Sequence, residues 1–147
     1  FYRFSLDSRH MGLVPLSREL QAAEHLLYLL NFRHRHLSLR FEVEPEFLQK
    51  EIVPGAVSML VQHVVRNSLI SEVHPLRIRC YTEDGDTLVL QCPLNERLKP
   101  VPDRMREIRD LQQACAWYTS EPVVRVKAYN ELILKIPLLS TELEELE

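Results

Sequence analysis

The chain has 147 residues, room for one domain that buries roughly 70% of its unfolded surface. Its 46% hydrophobic and 27% charged residues are ordinary for a globular protein, and a net charge of −3 leaves no basic footprint for nucleic acid. Cys80, Cys92 and Cys115 are an odd, widely spaced set without a CxxC pair, which predicts reduced cytosolic thiols and no disulfide framework or zinc site. No apolar run reaches the ~18 residues of a membrane span, and no signal-peptide pattern is present. A start on Phe1 is expected of a piece of a longer chain, whose preceding part could carry membrane segments.

In chain order, Leu16, Leu20, Ala23, Leu27 and Leu30 recur at helical spacing, with Arg18, Glu19 and Glu24 on other faces. This predicts a helix over 16–31, started by Pro15 and Ser17. Leu37, Leu39, Phe41 and Val43 alternate with polar residues and predict a strand with one buried face. Pro54 and Gly55 open a second helix to about Ile70, with an apolar stripe of Val57, Leu60, Val61, Val64, Val65 and Leu69. Two strand-like runs, 76–81 and 87–92, flank Glu83-Asp84-Gly85-Asp86, a hairpin in which Gly85 can take a positive φ. After a proline-rich break, Met105, Ile108, Leu111, Cys115 and Tyr118 mark one face of a third helix. Runs 123–128 and 132–136 close the domain as a second hairpin, and an acidic tail spans 141–147. The order α β α β β α β β predicts a two-layer α/β sandwich, a mixed, mostly antiparallel sheet covered on one face by about three helices. The expected organisation is a linker over 1–14, a domain over 15–140 and the tail.

The second helix carries a resemblance. The stretch from Ile52-Val53-Pro54-Gly55 through Gln62-His63-Val64-Val65-Arg66-Asn67 is similar to the N-box of LytS-type sensor histidine kinases. Leu13-Val14-Pro15-Leu16-Ser17-Arg18-Glu19-Leu20 resembles the family's V-P-L-x-x-E-L opening, and Ile136-Pro137-Leu138-Leu139 its closing R-L-P-L-L. The likeness runs in register over nearly the whole chain. It implies the GHKL (Bergerat) ATPase sandwich.

The family's functional residues carry over poorly. Its N-box Glu and Asn, which assist phosphoryl transfer and hold Mg²⁺, match Gln62 and His63. An amide cannot act as a base near neutral pH, and an imidazole is a poor ligand for a hard cation. The family's Lys and His one turn later match Arg66 and Asn67; Asn67 is the residue that could partly restore metal contact. The adenine segment matches Pro93-Leu94-Asn95-Glu96, where Asn95 could stand in for the polar residue but no glycine follows. The lid glycines, needed for close backbone approach to phosphates, match Met105 and Glu107. Asp103, Glu107 and Asp110 are expected to oppose phosphates, and Met105 and Arg106 to fill the cleft. The phospho-accepting segment has no counterpart before Leu13, and His10 has the wrong neighbours.

Blander readings stand beside these. His63 on a packed helix face is by default a partly buried residue with a hydrogen-bond partner. Arg33-His34-Arg35-His36, which could bind an anion or a metal, is by default a solvated turn. Trp117 and Tyr118 are expected to pack against the last hairpin.

The resulting expectation is a degenerate ATPase-like domain of a two-component sensor histidine kinase, regulatory or scaffolding, with no cofactor and no metal site. Expected partners are a kinase homodimer or a response regulator, with no nucleic acid. It is expected to be the cytoplasmic domain of a bacterial inner-membrane protein, touching the membrane only through the preceding region. The alternative is an active kinase that uses Mg-ATP at a divergent site of His63, Arg66, Asn67 and Asn95.

Overall fold

The alternating strands and apolar helical stripes assemble into two layers in the computed structural model, which describes residues 12–99 and 101–139. Helix α1 (Leu16–His34) buries Leu16, Leu20 and Ala23 and runs three residues past the predicted end at Asn31. It stops where Arg35 turns left-handed, at φ 68°. The Asn31 side chain then holds the backbone of Leu37, accepting from its N–H at 3.2 Å and donating to its carbonyl at 3.3 Å. That clasp fixes where β2 (Leu37–Glu42) begins.

Two short strands escaped the sequence reading, because two residues carry no periodicity. β1 (Val14–Pro15) pairs antiparallel with β3 (Glu51–Ile52). Helix α2 (Ala56–Asn67) follows, with Val57, Leu60, Val61 and Val64 at 1% exposure or less. It ends before the predicted Ile70, because Ser68 is extended and bridges Glu96. Leu69 therefore leaves the stripe and is 44% exposed.

The main sheet has the order β2–β4–β5–β7–β6, built with β4 (Leu76–Glu83), β5 (Thr87–Pro93), β6 (Val124–Ala128) and β7 (Glu131–Pro137). β2 and β4 are parallel, as the α2 crossover between them permits, and the other neighbours are antiparallel. Both hairpins turn on left-handed pairs, Asp84 and Gly85 in one, Tyr129 and Asn130 in the other. Gly85 is doubly required: its φ is 73°, and an added Cβ would stand 2.8 Å from the Phe47 ring.

Directly paired residues share a sheet face. Cys80, Leu90 and Leu134 line up across β4, β5 and β7 on the face that forms the core, and Arg125 of β6 pairs with Leu134 on that same face. Helix α3 (Arg106–Cys115) buries Ile108, Leu111 and Cys115 together with one charged residue, Glu107. Met105 caps this helix and is 37% exposed, outside the predicted buried face. Trp117 is 84% exposed and does not pack against the last hairpin; Tyr118 does pack against the core. The three cysteines are buried and unpaired; burial pushes Cys80 up to about 12. His10 and the acidic tail lie outside the described residues.

Candidate functional site

Helix spacing places His63, Arg66 and Asn67 of α2 toward the first turn of α3, while Gln62, one residue before His63, stays exposed. Across the gap stands Glu107, buried at 4% exposure. Arg66 bridges the two. Its Nε donates to Glu107 Oε2 at 2.9 Å and its Nη2 to Oε1 at 2.9 Å, a fork on a carboxylate. The same guanidinium donates to the carbonyls of Pro102 and Asp103, each at 2.7 Å, and of Arg104 at 3.2 Å. One side chain thus pins the whole segment before α3 onto α2.

Burial by itself would raise the Glu107 carboxyl. The Arg66 hydrogen bonds, its own backbone N–H and His63 outweigh that and hold it at about 2. His63 is fully buried. Its Nε2 accepts from Arg125 Nε at 3.1 Å, so Nδ1 carries the proton and faces Glu107 Oε1 at 3.4 Å. Burial, and then the Arg125 cation, push the imidazole below its ordinary value, so it is neutral. Behind it the chain of charges continues. Glu96 accepts from Lys127 at 2.8 Å and Arg104 at 3.3 Å, and stands 3.9 Å from Arg125.

Asn67 Nδ2 donates to the carbonyls of His63 at 2.8 Å and Arg104 at 3.3 Å. Its Oδ1 is buried with no hydrogen-bond partner among the described residues. Asn95 does not join this group. Its Nδ2 donates to the carbonyl of Leu69 at 2.7 Å, tying the exit of β5 to the end of α2.

The anticipated filling of the cleft is corrected in its particulars. Arg106 and Glu107, the latter held by Arg66, line a cleft of about 830 Å³ that stays open, and Met105 does not line it. Of the three acids expected to oppose phosphates, only Glu107 turns inward; Asp103 pairs with Arg109 at the surface and Asp110 is exposed. Glu19, assigned to a polar face, is buried and accepts from the N–H of Gly55 at 2.9 Å and of Val57 at 3.3 Å, capping α2. Arg125 was not singled out, although its register against Leu134 is what brings it to His63.

Mg-ATP fits these residues badly. Mg²⁺ needs several oxygen donors, and this gap offers one spare amide oxygen beside a histidine engaged on both nitrogens and a carboxylate engaged by Arg66.

No protein-family model and no curated protein sequence matches the chain. Its fold is the α/β sandwich of histidine-kinase catalytic domains, the GHKL type. The cytoplasmic segment of histidine kinase QseC superposes with a TM-score of 0.58 at 14% identity, over 88% of this chain and 78% of that one. The catalytic domain of histidine kinase ThkA gives 0.55 at 12%, over 88% and 97%, and the mycobacterial sensor histidine kinase MprB 0.51 at 10%, over 88% and 99%. At these identities the likeness carries the fold alone.

Proposed function

We propose that the chain is the ATPase-like domain of a LytS-type sensor histidine kinase whose nucleotide site has become structural. It would act in two-component signalling by contact with partners and not by nucleotide turnover. The observation that carries this reading is Arg66, which binds the Glu107 carboxylate and three carbonyls of the lid-equivalent segment. A segment held that way is anchored to α2 through Glu107, where the resemblance would put a lid glycine.

Partner contact has its own support. Tyr28, Leu29 and Phe32 stand out on α1 with 67%, 63% and 71% exposure, the two rings in edge contact at 5.2 Å. Contiguous exposed apolar groups of this kind mark interaction surfaces. ThkA, which shares the fold, has been solved in complex with the response regulator TrrA. The proposed partners are accordingly a second kinase copy or a response regulator. Among the described residues no helix is long and apolar enough to cross a membrane, and the proposed setting is the cytoplasmic side of a membrane kinase.

One observation favours the alternative of an active kinase: the unpartnered, buried Oδ1 of Asn67 is an oxygen that a metal could use. Thermal unfolding separates the two readings. A site with a 10 µM dissociation constant would add about 2.7 kcal/mol at 1 mM Mg-ATP, several degrees of midpoint. The degenerate domain shows no such shift, and a clear one would rule it out.

A further inference from the structure

The main sheet has two edges, and they are finished differently. β6 carries Arg125 turned inward, and Lys127, devices that blunt an edge against further pairing. β2 has neither lysine nor proline, and its inward side chains, Leu37, Leu39 and Phe41, are all apolar. We infer that β2 is a dimer edge, on which the β2 strand of a second copy of this chain pairs antiparallel across a two-fold axis. This rests on the partner half of the function proposed above and narrows it to one partner and one surface. It does not depend on what the nucleotide site binds.

The backbone of β2 leaves a row of polar groups unused. Leu76 donates its N–H to the His36 carbonyl at 2.8 Å, so in the parallel ladder the backbone groups of Ser38, Arg40 and Glu42 face β4. Those of Leu37, Leu39 and Phe41 face away from the sheet. Leu37 is held by Asn31. The outward N–H and carbonyl groups of Leu39 and Phe41 have no hydrogen-bond partner among the described residues.

Charge selects the register. Antiparallel pairing sets outward-facing residues opposite one another. With Leu39 opposite the partner's Phe41, Arg40 meets the partner's Arg40; with Phe41 opposite the partner's Val43, Glu42 meets the partner's Glu42. Leu39 opposite the partner's Leu39 would need the Leu37 backbone that Asn31 already holds. Phe41 opposite the partner's Phe41 sets Arg40 against the partner's Glu42, twice by symmetry, and Leu39 against the partner's Val43 on the apolar face. Arg40 is available for that pair, with a side chain 79% exposed and Glu42 as its ion-pair partner at 3.2 Å. Helix α1 continues the surface in the other layer. Its Leu30, Arg33 and His34 face α2 across the cleft, and its Asn31 faces β2. Tyr28, three residues before Asn31, and Phe32, four after Tyr28, stand on the flank turned away from α2, on the same side of the molecule as the free edge.

Sedimentation equilibrium of the chain should show a monomer–dimer equilibrium with a dissociation constant below about 200 µM. Amide hydrogen exchange locates the contact. Leu39 and Phe41 should exchange freely in dilute protein and become protected as concentration rises, whereas Arg40 and Glu42 stay protected throughout. Arg40→Glu, at an exposed position, should leave the thermal midpoint in place and weaken dimerisation at least tenfold. Arg40→Glu/Glu42→Arg, with its fold checked by the same midpoint, should restore the dimer, because opposite charges again face each other. A monomer at about 500 µM, or a dimer that leaves the Leu39 and Phe41 amides unprotected, would overturn the inference. So would protection independent of concentration, which would place a segment of the same chain on the edge, or full dimerisation of Arg40→Glu, or no recovery in the folded swap. Each of these leaves the nucleotide reading and a response-regulator partner standing, whereas Mg-ATP binding would overturn the proposed function and leave this edge untouched.

Discussion

Arg66 engages α3 and the segment before it with all three guanidinium nitrogens, at five hydrogen bonds of 2.7–3.2 Å. Arg66→Ala leaves Glu107 charged and buried, so it should cost about 3 kcal/mol in urea unfolding. Arg66→Lys should recover less than half of that, since an ammonium has no planar fork. Glu107 also ties stability to pH. Its folded pKa, about 2, lies below the ordinary 4.5, so its contribution is present above 4.5 and lost as pH falls toward 2. The full loss amounts to about 3 kcal/mol. Glu107→Gln should flatten the acid limb of a urea-midpoint profile between those values; an unchanged limb would mean the carboxylate is not held as described. The buried, neutral His63 adds a loss that begins as pH falls below its ordinary 6.5, because protonation is disfavoured in the fold.

At the scale of elements, α2 begins at Gly55, which is left-handed and has no side chain with which to cap it. Glu19 supplies the cap from α1, so Glu19→Ala should cost about 1–2 kcal/mol by thermal unfolding. A cost under a few tenths would show the cap is idle. Periodicity found every long element, because apolar spacing reports the buried face directly. It misplaced the ends of α1 and α2, where Arg35 and Ser68 change backbone conformation without any change in hydropathy. It also put Glu19 in solvent and left Glu107 without its partner, since a charged residue reads as exposed until its buried counterpart is known. Gln62, His63, Arg66 and Asn67 could be singled out from the α2 resemblance alone. Arg125 and Glu96 could not, because strand pairing brings them in from 29 to 62 residues away.

For the whole molecule, the two-layer sandwich places α2 between α1 and α3. The exposed ring pair of Tyr28 and Phe32 on α1 is not part of the cleft lining. Tyr28→Ser/Phe32→Ser should leave the thermal midpoint within the range of ordinary surface changes, about 0.5 kcal/mol, yet reduce association with a second copy or a response regulator in analytical ultracentrifugation. Unchanged association would remove this face from the interface. The central claim, that the site between α2 and α3 no longer binds nucleotide, is tested most directly by calorimetric titration of Mg-ATP into the domain, with ADP and a non-hydrolysable analogue alongside. The account predicts no binding heat up to about millimolar nucleotide. Saturable heat at micromolar concentrations, lost on mutation of Asn67 or His63, would contradict it.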